Sequence, residues 1–172
     1  NNELKKRIFS SLIILPISVF LIKQGSILFI LFLCFLLSLT SYEWFKMSKK
    51  KYFQKFTGLF FLTYSFYTAF QLRDLYGFNF FIFLVLVCVF TDLGGYFFGK
   101  FFKGPKLTKI SPKKTVSGAI GSFFSCCIVV ISLVFYITKN FNFNIFFISI
   151  IISFSCQLGD LFFSYLKRKA KI

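Results

Sequence analysis

Six stretches without a single Asp, Glu, Lys or Arg fill most of this chain: residues 8–22, 24–42, 56–72, 75–91, 115–138 and 140–159. A helix needs about 20 apolar residues to cross the hydrocarbon of a bilayer. The first stretch has only 15 residues, but it can span if Lys5, Lys6, Arg7 and Lys23 snorkel at its ends. A cleaved leader over residues 1–24 is the rival reading; no small-x-small site follows Ile22, and a second apolar run begins at once. Hydrophobic residues make up 57% of the chain and charged residues 15%, against about 25% charged in an average soluble domain. A soluble domain of 172 residues has too much surface for its volume to hide that apolar area. The expected fold class is therefore all-α, a polytopic integral membrane helix bundle of about six transmembrane helices. It is read as one membrane domain over 1–172, with a helix pair at 1–55 and a second region at 56–172 that carries a basic loop at 99–117.

Charge gives the orientation. There are 21 Lys and Arg against five acids, a net charge of +16. In a soluble protein that balance would point to nucleic acid. Here the bases read as topology determinants and contacts to anionic lipid, and nucleic acid is not an expected partner. With the N-terminus in the cytoplasm and one crossing per run, 18 bases fall inside and three outside, at Lys23, Arg73 and Lys139. That split obeys the positive-inside rule. The chain is expected in the cell inner (cytoplasmic) membrane. The same threading places Glu43, Asp92 and Asp160 at the cytoplasmic ends of their helices. Asp74 falls in an outside turn beside Arg73, as a solvated pair.

Histidine is absent, so His-dependent acid–base chemistry and His-containing zinc sites are excluded for these residues. Cys34, Cys88, Cys126, Cys127 and Cys156 all lie in apolar runs and form no CxxC pair. They read as small hydrophobes rather than disulfides or metal ligands.

A carboxylate inside a span costs about 2.5–3.5 kcal/mol on insertion scales, so Asp92 and Asp160 need a partner or a function. At about 100° per residue, Gln157, Ser164 and Lys167 fall within about 60° of Asp160 on one helix stripe. The stripe reads as the wall of a cavity; an Asp160–Lys167 surface pair is the plainer alternative. Gly95, Tyr96 and Gly99 share a face with Asp92 at the same spacing. Small residues there let a second helix or a ligand approach closely.

Between these helices lies the basic loop. Ser111 is a suitable N-cap with Pro112 at the first helical position, so a helix is expected to start at Pro112. Its free N–H groups, with Lys113, Lys114 and Thr115, would make an anion site. A Walker A pattern is absent. A basic loop resting on anionic headgroups is the alternative. Carboxylates facing a lysine-rich helix start suit magnesium and phosphate, because magnesium prefers oxygen ligands and bridges carboxylates to substrate phosphates. The chemistry this leads to is metal-dependent phosphoryl or nucleotidyl transfer at the cytoplasmic membrane surface.

The residues Asp92, Gly95-Tyr96, Gly99-Lys100, then Ile110-Ser111-Pro112-Lys113-Lys114-Thr115, Gly118, Gly121, and finally Gln157-Leu158-Gly159-Asp160, Ser164 and Lys167-Arg168 resemble phosphatidate cytidylyltransferases, also called CDP-diacylglycerol synthases. Leu4-Lys5-Lys6-Arg7, Pro16 and Glu43-Trp44 fit the same family. The resemblance implies transfer of CMP from CTP to phosphatidic acid, giving CDP-diacylglycerol and pyrophosphate, with Mg2+ as cofactor and the active site facing the cytoplasm. It implies Asp160, Lys167 and Asp92 as catalytic residues, with Asp160 also toward the metal. Ser111, Lys113, Lys114, Thr115, Gln157, Ser164 and Arg168 would be substrate-binding. Region 56–172 would be the catalytic-type region. A homodimer is a further expectation. A related CTP-dependent lipid kinase, an inactive remnant and a non-enzymatic membrane protein are the alternatives.

The family pattern continues past Lys-Arg with a Lys-Asp, a Pro-Gly-His-Gly-Gly run and an Asp-Arg-x-Asp, and its members have more spans. The chain starts at Asn1 without Met and stops at Ile172. It is therefore expected to be a C-terminally truncated fragment, with metal-binding carboxylates beyond its last residue.

Overall fold

Apolar runs of this length, in a solvent that offers no hydrogen bonds, satisfy their backbone only as helices. The computed structural model describes residues 2–48, 52–108, 114–139 and 143–169. Every named element among them is helical: α1 Asn2–Gln24, α2 Ser26–Ser48, α3 Tyr52–Phe102, α4 Val116–Thr138 and α5 Phe143–Lys169. The all-α membrane class is what the sequence predicts. Four helices, α2 to α5, are long and apolar enough to cross a membrane, and α1 contributes a shorter apolar stretch at Ser11–Gln24. α3 has 51 residues, long enough for two crossings at about 1.5 Å per residue.

The surface is that of a protein solvated by lipid. Phe53, Phe56, Phe101 and many other large apolar side chains are exposed. Hydroxyls inside the helices are satisfied locally. Ser38 donates to Cys34 O at 2.8 Å, Thr63 to Leu59 O at 3.0 Å and Ser132 to Ile128 O at 2.7 Å. In hydrocarbon no water competes for these groups.

The chain forms two compact units, Asn1–Phe81 and Ile82–Ile172. In the first, α1 and α2 are joined through Gly25 (φ +63) and Ser26 (φ 50), both left-handed. Arg73 on α3 donates to the last α1 carbonyls, from Nε to Ile22 O and from Nη2 to Lys23 O, each at 3.1 Å. Its guanidinium lies against Gly25, where a Cβ would collide with it, and 6.0 Å from the Phe29 ring centroid. Cationic donors belong at a helix C-terminus, where carbonyls lack partners. Two expectations change here. Arg73 serves α1 instead of pairing with Asp74, and both residues are helical rather than in a turn. The non-helical residue of α3 is Gly77 (φ 80, ψ 176), a conformation open to glycine alone. Trp44 donates its indole N–H to Gln54 O at 3.0 Å and packs over Gly58.

In the second unit the C-terminal part of α3 packs with α4 and α5. Val87, Cys126, Val130 and Val134 are buried, with Phe83, Ile145 and Ile152 against them. The α3–α4 approach runs through glycine. A Cβ on Gly118 would stand 2.8 Å from Gly95 O and 3.3 Å from Gly99 Cα, and one on Gly95 would stand 2.7 Å from Ser122 Oγ. Close backbone approach replaces the hydrophobic drive that helices lack inside lipid. The packing role anticipated for Gly95 and Gly99 is therefore present.

The start of α4 differs from expectation. It begins at Val116, and Thr115 is its N-cap in extended conformation (φ −111, ψ 156), accepting from Gly118 N at 3.1 Å. Ser111 and Pro112 lie outside the described residues. The displacement has a local cause. Lys106 and Thr115 form an antiparallel bridge, with Leu107 N donating to Lys114 O and Val116 N to Pro105 O, each at 2.9 Å. A helix running through Lys114 and Thr115 would break both bonds. The cysteines are free: Cys126 is buried, Cys88, Cys127 and Cys156 are half-buried, and Cys34 is exposed.

Candidate functional site

One end of the α3–α4–α5 unit opens into a cavity of about 240 Å³. Asp92, Gly95 and Tyr96 line it from α3, and Leu107, Lys114 and Thr115 from the loop. Gly118, Ala119 and Ser122 line it from α4, and Gln157 and Asp160 from α5. Helical spacing explains the selection: Asp92, Gly95 and Tyr96 are related by three and four residues, and so are Thr115, Gly118 and Ser122.

Lys114 and Asp160 are held by identifiable structure. Lys114 is fixed at its carbonyl by the bridge to Leu107. Its ammonium reaches α5 and contacts Asp160, with Nζ to Oδ2 at 2.8 Å. Asp160 thus pairs with the loop lysine, not with Lys167, the alternative weighed above. The loop itself is strapped to the start of α4. Gly104 N donates to Ser117 Oγ at 3.2 Å, and the Thr115 and Ser117 hydroxyls stand 3.1 Å apart. A Cβ on Gly104 would meet Ser117 Oγ at 2.9 Å, so glycine permits that approach. On α5, Gln157 Nε2 points to Ala119 O at 3.5 Å, at the long limit of a hydrogen bond.

Of the residues singled out from sequence, the cavity gathers Asp92, Lys114, Thr115, Gln157 and Asp160. Ser164, Lys167 and Arg168 follow on α5 beyond it and do not line it. Ser111 and Lys113 lie outside the described residues. Glu43 belongs to the first unit. Ser122, buried at 4% exposure, was missed by the sequence reading, as were Leu107 and Ala119. For Ser122 a signal existed, since it lies seven residues past Thr115 and so on the same helix face.

The donor set is oxygen-rich. Two carboxylates from different helices, the hydroxyls of Tyr96, Thr115 and Ser122, and one ammonium can hold a phosphorylated ligand and share a hard cation with it. Among the described residues, no group of three or more His, Cys, Asp or Glu side chains is close enough to hold a metal by itself.

The model of the cytidylyltransferase family matches residues 57–172. This chain belongs to the cytidylyltransferase family. The whole cavity lies inside the matched region, as do all the site residues proposed from sequence. Relatives of this family member include proteins named phosphatidate cytidylyltransferase. That of Staphylococcus aureus (strain COL) is 37% identical over 94 residues, covering 54% of this chain and 36% of the relative. That of Staphylococcus haemolyticus is 40% identical over 96 residues, with the same two shares, 54% and 36%. That of Rickettsia conorii is 43% identical over 82 residues, covering 43% of this chain and 36% of the relative. The chain spans about a third of the length of these curated relatives. No solved structure matches it.

Proposed function

We propose that the full-length protein transfers CMP from CTP to phosphatidic acid, yielding CDP-diacylglycerol and pyrophosphate for phospholipid synthesis. The observation that carries this is the cavity, inside the family-matched region, where Asp92 and Asp160 from two helices meet Lys114 and Thr115 at one end of a membrane bundle. The names of the relatives support the choice of CTP and phosphatidate.

The lipid phosphate is already a nucleophile. One of its oxygens attacks the α-phosphorus of CTP, and the bond from that phosphorus to the β-phosphate oxygen breaks. Catalysis then consists of positioning and charge neutralisation. Lys114 leaves Asp160 to contact a phosphate oxygen, and the Thr115 hydroxyl and α4 start lie beside it. Asp160, with Asp92, would hold Mg2+. When bound, that ion neutralises phosphate charge. Lys167 and Arg168, farther along α5, would meet the lipid headgroup, with Lys113, Ser111 and Ser164 as further phosphate contacts.

The reading includes six crossings, an N-terminus in the cytoplasm and a cytoplasmic-facing site in the inner membrane. It also includes anionic lipids at the basic loop and a homodimer. The 18-to-3 division of bases supports the orientation.

The test is incubation of membranes carrying the full-length protein with labelled CTP and phosphatidic acid. CDP-diacylglycerol with stoichiometric pyrophosphate is expected. Release of CDP instead would establish a kinase, and absence of CTP-dependent lipid conversion would overturn the reading.

A further inference from the structure

Two polar contacts cross from α3 to α5 directly below the cavity. Thr91 Oγ1 is 3.1 Å from Ser153 Oγ and 2.7 Å from Val87 O. A threonine has one hydroxyl proton. That proton is shared between two acceptors, Val87 O at the shorter distance and Ser153 Oγ at the longer. Both residues have 0% exposure. Beside them Cys156 Sγ stands 3.2 Å from Cys88 Sγ.

The spacing ties these contacts to the site. Cys88 and Asp92 are four residues apart on α3, and Cys156 and Asp160 are four apart on α5. Each carboxylate is therefore one turn above its thiol, on the same helix face. Whatever fixes the thiol pair fixes the carboxylates. Val87 and Val130 pack beside them, and Cys126 Sγ on α4 donates to Ser149 O at 3.5 Å. The apolar part of that packing is non-directional and tolerates sliding. A slip of α5 by one residue moves Asp160 by about 1.5 Å and about 100°. The hydroxyl contact resists that slip: Thr91 would keep Val87 O, but Ser153 Oγ would lose Thr91 in an interior with no water to replace it.

We propose that Thr91 and Ser153 are positioning residues that set the register of α5 against α3 and so hold Asp160 opposite Asp92 for cytidylyl transfer. The activity arm of the test rests on the function proposed above; the register arm stands independently of it.

The register is read by oxidising membranes that carry the full-length protein with copper–phenanthroline. The two thiols lose two protons to solvent and one electron each to two Cu(II) ions, which become Cu(I), and form a Cys88–Cys156 disulfide, which mass spectrometry of its peptides quantifies. The wild type should cross-link readily. Thr91→Val, equal in shape, should cross-link at least about threefold more slowly, since sulfurs displaced from each other bridge poorly. Its kcat should fall about tenfold or more, with the KM values for CTP and lipid little changed, as expected when reacting groups are misplaced. Thr91→Ser keeps the hydroxyl and should restore both readouts. Ser153→Ala should reproduce Thr91→Val, and the double variant should be no worse than either alone. The proposal is overturned if the wild type fails to cross-link, if Thr91→Val keeps wild-type cross-linking, if it keeps wild-type kcat in a functioning enzyme, or if Thr91→Ser is as impaired as Thr91→Val. Loss of cross-linking in Thr91→Val, in a protein without transferase activity, would sink the proposed function and leave the register intact.

Discussion

Lys114 Nζ stands 2.8 Å from Asp160 Oδ2, closing a gap of 46 residues between the loop before α4 and the last helix. The lysine side chain is 29% exposed and the aspartate 55%. An exposed pair of this kind contributes about 0–1 kcal/mol, so it does little to hold the bundle together. What it does is place one ammonium and one carboxylate at the same cavity wall.

Asp160→Asn keeps the size and removes the charge. Transfer should fall by about 100- to 1000-fold, the scale of losing one electrostatic group from a reacting centre. Expression and helical circular dichroism should stay at wild-type levels. Wild-type turnover in a CTP assay would remove Asp160 from the site.

Lys114→Met should lower kcat/KM by about 10- to 100-fold, the value of one hydrogen bond to a charged group. Lys114→Arg should recover part of it, because the charge survives while the geometry differs. Steady-state kinetics at varied CTP would show this. An effect of Lys114→Arg as large as that of Lys114→Met would mean that shape, not charge, matters at this position.

Thr115→Val removes the hydroxyl that accepts from Gly118 N. The loss of an N-cap costs about 1 kcal/mol, and Thr115→Ser should escape it. Thermal unfolding in nanodiscs measures the difference, and equal melting temperatures for the valine and serine variants would contradict the capping role.

Gly118→Val should destabilise the unit by about 1–3 kcal/mol through overpacking, since even a Cβ there stands 2.8 Å from Gly95 O. Gly159 gives the contrast. A Cβ at Gly159 meets nothing within 4 Å, so Gly159→Ala should stabilise α5 by up to about 1 kcal/mol. Melting temperatures of the two variants should move in opposite directions.

Orientation can be read with reporter fusions. Green fluorescent protein fused after Thr108 should fluoresce, as a cytoplasmic reporter, and alkaline phosphatase fused after Lys139 should be active outside. The reverse pattern would invert the orientation drawn from the 18 inside bases.

Much of this was legible in sequence because lipid simplifies the problem. A charge-free run of membrane length has one satisfactory backbone conformation, so the helices follow from the positions of Lys, Arg, Asp and Glu. The last two runs, 115–138 and 140–159, correspond closely to α4 and to most of α5. The carboxylates were legible for the same reason, since Asp92 and Asp160 interrupt apolar helices at a cost that demands an explanation.

Where local signals competed, the reading failed. Ser111-Pro112 is a sound helix start by itself, yet Thr115 became the cap because the Lys106–Thr115 bridge needs extended backbone there. Arg73-Asp74 reads as a turn, yet Arg73 remains helical and caps α1 from 50 residues away. Both outcomes depend on partners outside the segment itself, one nine residues away and one about 50, which helix-start and turn signals do not contain.

By itself, then, the sequence determined the helical membrane class and the identity of the polar residues that a bilayer would not tolerate without reason. Only the tertiary structure decided which of them meet. It joined Lys114 to Asp160 instead of Lys167, added Ser122 to the cavity and left Ser164, Lys167 and Arg168 off its walls. The physical reason lies in how the helices associate. Hydropathy makes each helix but is indifferent to which face it turns to its neighbour. In lipid that choice falls to backbone contacts such as Gly95–Gly118 and to hydroxyl contacts such as Thr91–Ser153.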